Sequence, residues 1–193
     1  MSPGALERII SRPGSGAKER CDLCGADLPE QHRHLLDTRA GSVMCTCRPC
    51  SLLFTRDAAS RGHYRLVPER RVRLGEVDTT TLGVPVGLAF FVPHEDGSVT
   101  ASYPSPAGAT QWDISLEAWR QVRERCPELG SLESEVEALL VNSVRGRTHR
   151  WIVPVDDCYR LVAVVRREWR GLSGGNRVWP EIDRFFDELT EHR

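Results

Sequence analysis

The chain has 193 residues, 40% hydrophobic and 27% charged, with a formal net charge of −1. That balance excludes a chain disordered throughout, and the length suits one ordinary domain with a small appendage. No stretch approaches the ~20 apolar residues of a membrane span, and residues 1–16 hold no hydrophobic leader core, so a cytoplasmic chain is expected.

Charge is unevenly spread. Residues 1–75 carry 13 basic and 8 acidic side chains, and residues 76–193 carry 13 and 19. A basic head can touch nucleic acid or an acidic protein surface. Every basic residue except Lys18 is Arg, however, and the coding bias of a GC-rich genome explains that without a ligand. Nucleic acid binding is therefore not the expected role.

In chain order, residues 1–17 read as a polar tail broken by Pro3, Pro13, Gly14 and Gly16, with one helical turn over Leu6–Ile10. Residues 18–55 read as a metal-binding, zinc-ribbon-like module. It opens Cys21-Asp-Leu-Cys24-Gly25 and closes Cys47-Arg-Pro-Cys50. Two thiolates two residues apart fit on one tight turn, which aims both sulfurs at one point. A second such turn completes a tetrahedron. Gly25 supplies the positive φ that closes the first knuckle. Between the pairs, His32–Asp37 and Ser42–Thr46 predict a hairpin turning at Arg39-Ala-Gly41. So short a segment has little core, and a bound ion would supply the missing stability.

Cys21, Cys24, Cys47 and Cys50 are the predicted ligands. Zinc is the expected ion. Iron, in a rubredoxin-like site or an iron–sulfur cluster, is the alternative. Cys45 faces the same side of its strand as Cys47. It can replace Cys47, stand beside the site as a reactive thiol, or simply fill space. His32 and His34 share one strand face, and as ligands they would have to displace cysteines. A solvent-facing or hydrogen-bonded pair is the expectation.

The polar connection Arg56–Gly62 leads to a mixed α/β domain over residues 64–193. His63-Tyr64-Arg65 falls where the two domains should meet. Strands are predicted at Arg70–Leu74, Leu82–Val92, Ser98–Tyr103, Thr110–Ile114 and Arg150–Val153, with Asp96-Gly97 as a hairpin turn. Helices are predicted at Leu116–Arg125 after an N-cap Ser115, and after Ser131 on the helical spacing of Leu132, Val136, Leu139 and Leu140. A third follows Asp156 or Asp157, and a last one covers Val178–Glu191 with Pro180 in its first turn. Leu161–Val165 also suits a strand, but its length and the glycines at 171, 174 and 175 favour helix. The fold class is thus α+β. The five tryptophans, all beyond residue 111, are expected to fill the second domain's core. Cys126 reads as structural. Cys158, near a helix start, is a weak candidate for chemistry, because two adjacent carboxylates oppose thiolate formation.

Three stretches together resemble a known family. They are Cys21-Asp-Leu-Cys-Gly with His32-Arg-His-Leu-Leu-Asp37, Cys45-Thr-Cys-Arg-Pro-Cys-Ser-Leu-Leu-Phe54, and Trp151-Ile-Val-Pro-Val-Asp-Asp-Cys-Tyr159 with Trp169-Arg-Gly-Leu-Ser-Gly-Gly175. The chain is similar to uncharacterised proteins of about 200 residues from GC-rich bacteria, encoded beside high-affinity [NiFe] hydrogenase genes. The resemblance assigns no catalytic residue. It implies an accessory or assembly factor whose partner is a hydrogenase subunit or maturation protein. No small-molecule substrate and no paired acid and base are evident. Electron transfer or metal delivery is the competing role.

Overall fold

A computed structural model describes residues 19–55, 63–83, 86–171 and 174–191. The predicted tail, its Leu6–Ile10 turn and the connection at 56–62 lie outside them. The chain divides into two compact units, Met1–Pro68 and Glu69–Arg193.

In the first unit, β1 (Arg33–Asp37) and β2 (Ser42–Thr46) form the expected antiparallel hairpin. The Asp37 carboxylate accepts the backbone N–H groups of Arg39 and Ala40, which holds the turn. A four-residue helix, α1 (Arg48–Ser51), carries the chain into a 3-10 turn at Leu52–Phe54. β3 (Tyr64–Leu66) then pairs with the free edge of β1, giving the order β2-β1-β3. Tyr64, expected at the head of the second domain, is thus hydrogen-bonded into the first unit's sheet. Its ring also meets that of Phe54 edge-on at 6.0 Å. The division falls after Pro68, not at Tyr64.

The second unit is a six-stranded antiparallel sheet, β4-β9-β8-β5-β6-β7. Its strands are β4 (Val72–Arg73), β5 (Leu88–Pro93), β6 (Val99–Ser105), β7 (Gly108–Asp113), β8 (Glu137–Asn142) and β9 (His149–Pro154). The Asp96-Gly97 hairpin joins β5 to β6 as predicted, and Asp96 accepts the Ser98 N–H. Helix α2 (Leu116–Arg125) has its predicted bounds, with Ser115 at the N-cap position. It places Trp119 and Val122 in one cluster with Phe91, Leu139 and Ile152. The alternate residues Phe90, Leu140 and Trp151 point to the other face. There α3 (Val155–Glu168) packs on β6 to β9, and α4 (Val178–Glu191) packs on α3. Helices therefore cover both faces of the sheet, an α+β arrangement.

The predicted strand Leu82–Val92 begins only at Leu88, with Leu82 ending a 3-10 turn, and two further failures are instructive. Ser131 caps no helix: Pro127–Ser131 is a 3-10 turn, and Leu139 and Leu140 lie in strand β8. All six β8 residues are buried. A strand covered on both faces loses its two-residue alternation, and its apolar run then mimics helical spacing. Neither Asp156 nor Asp157 caps α3. Pro154 holds the N-cap position and both aspartates lie in the first turn.

Asp157 has another task. The adjacent Arg70 and Arg71 fork onto separate buried carboxylates. Arg70 donates to Glu137 at 2.6 and 2.7 Å, and Arg71 donates to Asp157 at 2.6 and 3.2 Å. Successive side chains of an extended segment point opposite ways, so the two arginines tie the unit's first residues to β8 and to α3. Burial holds the Asp157 carboxyl above its ordinary range, against the pull of Arg71.

Candidate metal centre

The first knuckle is a tight loop. The Gly25 N–H donates to the Cys21 carbonyl and the Cys21 N–H to the Ala26 carbonyl, both at 2.8 Å. Gly25 has φ +73°, which a residue with a Cβ adopts only at a cost. The second pair sits where the chain leaves β2: Cys47 at the N-cap of α1 and Cys50 within that helix. The knuckles are tied through the hairpin. Asp22 donates its N–H to the Cys45 carbonyl, and its carboxylate accepts the Cys45 N–H at 2.6 Å.

This folding brings the sulfurs of Cys21, Cys24, Cys47 and Cys50 within 4.8 Å of one another. The described cysteines are all free thiols. The Cys24 and Cys47 sulfurs are 3.7 Å apart. A tetrahedron of sulfurs around zinc at about 2.3 Å has an edge of about 3.8 Å. The group can therefore hold one metal ion. Cys21 is buried and Cys24 exposed.

Electrostatics point the same way. Burial resists ionisation of Cys21, yet the backbone N–H groups of Cys47, Cys24 and Leu23 draw its thiol down to about 6. Hydrogen bonding with the Cys47 and Cys24 sulfurs, and then burial, drives Cys50 up to about 12. At Cys24 the Ala26 N–H favours the thiolate, but the neighbouring Cys21 and Cys47 sulfurs outweigh it and the thiol rises. One thiolate forms readily here and further ones are resisted. Four close negative charges need a cation among them.

Cys45 stands in a different group. Its sulfur and one ring nitrogen each of His32 and His34 lie within 4.8 Å of one another. The common strand face of the two histidines was legible in the sequence. The approach of Cys45 was not, because it depends on the hairpin register that sets Cys45 opposite His34.

A model of a family of unknown function (DUF5947) matches residues 20–193. The chain belongs to this family. The match takes in both knuckles and the whole second unit. No curated protein and no solved structure matches.

The remaining thiols are placed for packing. Cys158 is fully buried in α3, and burial, then Asp157 and Asp156, raises its thiol well above the ordinary value. Cys126 is buried and donates to Glu128 at 3.4 Å. Of the tryptophans, Trp119 and Trp151 are buried, whereas Trp112, Trp169 and Trp179 are half-buried. One polar relay gave no sequence signal: His94 contacts Glu135 through Nδ1 at 2.9 Å and Thr100 through Nε2 at 2.8 Å. It pins the segment entering β8 to the β5–β6 hairpin. Among the described residues no helix is long and apolar enough to cross a membrane.

Proposed function

We propose that the chain is a non-enzymatic accessory protein in which Cys21, Cys24, Cys47 and Cys50 hold one Zn²⁺, and the knuckles so ordered dock a protein partner. One observation carries this reading. The segments that bring the four sulfurs together also expose leucines: Leu23 is 41% exposed, Leu52 61% and Leu53 62%. Leu23 lies between Cys21 and Cys24, and the other two follow Cys50 after Ser51. Apolar side chains held out on a metal-stiffened turn suit an interface, because contact removes them from water and little chain entropy remains to be lost. The family resemblance supplies the partner class, a [NiFe] hydrogenase subunit or maturation factor. Four thiolates suit zinc and rubredoxin-type iron alike, and zinc is preferred because no other feature read in the sequence suggests redox tuning.

Protein purified from its own host tests both parts. Colourless protein containing zinc is expected; a red or brown protein containing iron overturns the metal assignment. The double variant Leu52→Asp/Leu53→Asp should keep its metal and lower host hydrogenase activity to the level of a gene deletion. Normal hydrogenase maturation in the deletion strain overturns the partner assignment.

A further inference from the structure

We propose that His32, His34 and Cys45 form a second metal site, for a borderline divalent transition ion such as Zn²⁺ or Co²⁺. It uses none of the four cysteines assigned above and does not depend on their holding zinc. Residues 32 and 34 point to one side of the chain entering β1, and the antiparallel register puts Cys45 of β2 directly opposite His34. Two imidazoles and a thiolate within 4.8 Å form a donor set that suits borderline ions and not the hard, oxygen-seeking Ca²⁺ or Mg²⁺.

The state of His32 is the independent observation. Its side chain is 5% exposed. Nδ1 lies 3.0 Å from the Pro29 carbonyl oxygen. A carbonyl only accepts, so Nδ1 carries the proton and the lone pair of the neutral ring is at Nε2. That atom is buried and has no hydrogen-bond partner. A buried Nε2 without a formed hydrogen bond costs about 1–3 kcal/mol when the ring is neutral, and the long contact to the Glu19 carboxylate relieves that only if the ring is charged. A metal-binding histidine has this arrangement: one nitrogen fixed by a backbone carbonyl, the other presented bare. The Glu19 carboxylate lies 3.5 Å from Nε2.

Three protein ligands leave one position to water. This site should therefore bind more weakly than a closed set of four thiolates and exchange its ion more readily. The chain then loads in sequence, the cysteines first and the histidine site second.

Titrating the reduced, metal-free, full-length protein with Co²⁺ tests this by absorption. The wild type should take two equivalents, the first with tetrathiolate bands and the second adding bands of a mixed nitrogen–sulfur site. The double variant His32→Ala/His34→Ala should take one equivalent and keep the tetrathiolate spectrum, which also reports that the knuckles remain folded. Saturation of the wild type at one equivalent with tetrathiolate bands alone overturns the proposal, as does a variant that still takes two. If the variant fails to fold, wild-type protein loaded with one Zn²⁺ and then one Co²⁺ decides. Its proton NMR spectrum should show exchangeable imidazole N–H resonances shifted by the paramagnetic ion, and their absence overturns the proposal. Failure of the four-cysteine reading would appear separately, as missing tetrathiolate bands at the first equivalent.

Discussion

Among the described residues, the second unit buries Phe90, Phe91, Trp119, Trp151, Phe185 and Phe186 between one sheet and its helices, and the first unit buries no Phe, Tyr or Trp. The first unit's interior is Leu35, Leu36, Val43 and Val67, with a cluster of Cys21, Leu28 and Cys45 beside the knuckles. Burial of apolar area stabilises by roughly 25 cal/mol per Å², so the second unit has what it needs to fold. Among the described residues the first has a three-stranded sheet, a smaller apolar core and four sulfurs gathered within 4.8 Å of one another. The comparison teaches that one chain can reach order by two routes. One excludes water from large side chains, and the other, on the proposed reading, places a cation among anionic ligands.

Removing the metal should break the comparison most visibly. Apparent binding energies of structural zinc in small modules are about 10–16 kcal/mol, far beyond what the first unit's core supplies. Chelation, or Cys47→Ser, should make residues 19–68 protease-sensitive and collapse their amide dispersion. The amides of the second unit should stay put. The converse variant, Phe91→Ala, should destabilise the second unit by about 3–5 kcal/mol. It should leave metal affinity unchanged when denaturation and metal titration are read on the same sample.

Gly25→Ala should have a smaller effect. A β-carbon at φ +73° costs about 1–2 kcal/mol, so competition with a chelator should show metal affinity falling by about tenfold. The least effect is expected from pH. Burial, then Arg147 and Arg73, holds the His149 pKa below its ordinary value, against the weaker pull of Asp187 and Asp183. The ring stacks on Phe186 at 4.7 Å. Its unfolded form titrates near about 6.5, so the stability tied to the neutral ring is present above that pH and is lost as pH falls below it. The second unit's melting temperature should therefore drop on acidification from pH 7 to 5, and His149→Phe should shallow that drop.

Much of this was legible in the sequence, and the rest was hidden for definable reasons. The two Cys pairs, the hairpin between them, the Asp96-Gly97 turn and the helices at Leu116–Arg125 and Val178–Glu191 follow from local chemistry. In each, the residues that fix the element are neighbours in the chain. β8 did not declare itself because burial on both faces erased its period. The pairing of Arg70 and Arg71 with Glu137 and Asp157 spans more than sixty residues and has no local signal. For the four cysteines the grouping could be read directly, since spacing alone builds each knuckle. For His32, His34 and Cys45 half could be read. The strand face was visible, but the partner across the hairpin required a register.

X-ray absorption at the zinc edge, on protein given a single equivalent of Zn²⁺, tests the central claim most directly. Four sulfur scatterers at about 2.3 Å are expected, with no nitrogen or oxygen in the first coordination sphere. A first coordination sphere of nitrogen and oxygen, or a first unit that keeps its fold after all metal is removed, would contradict the account.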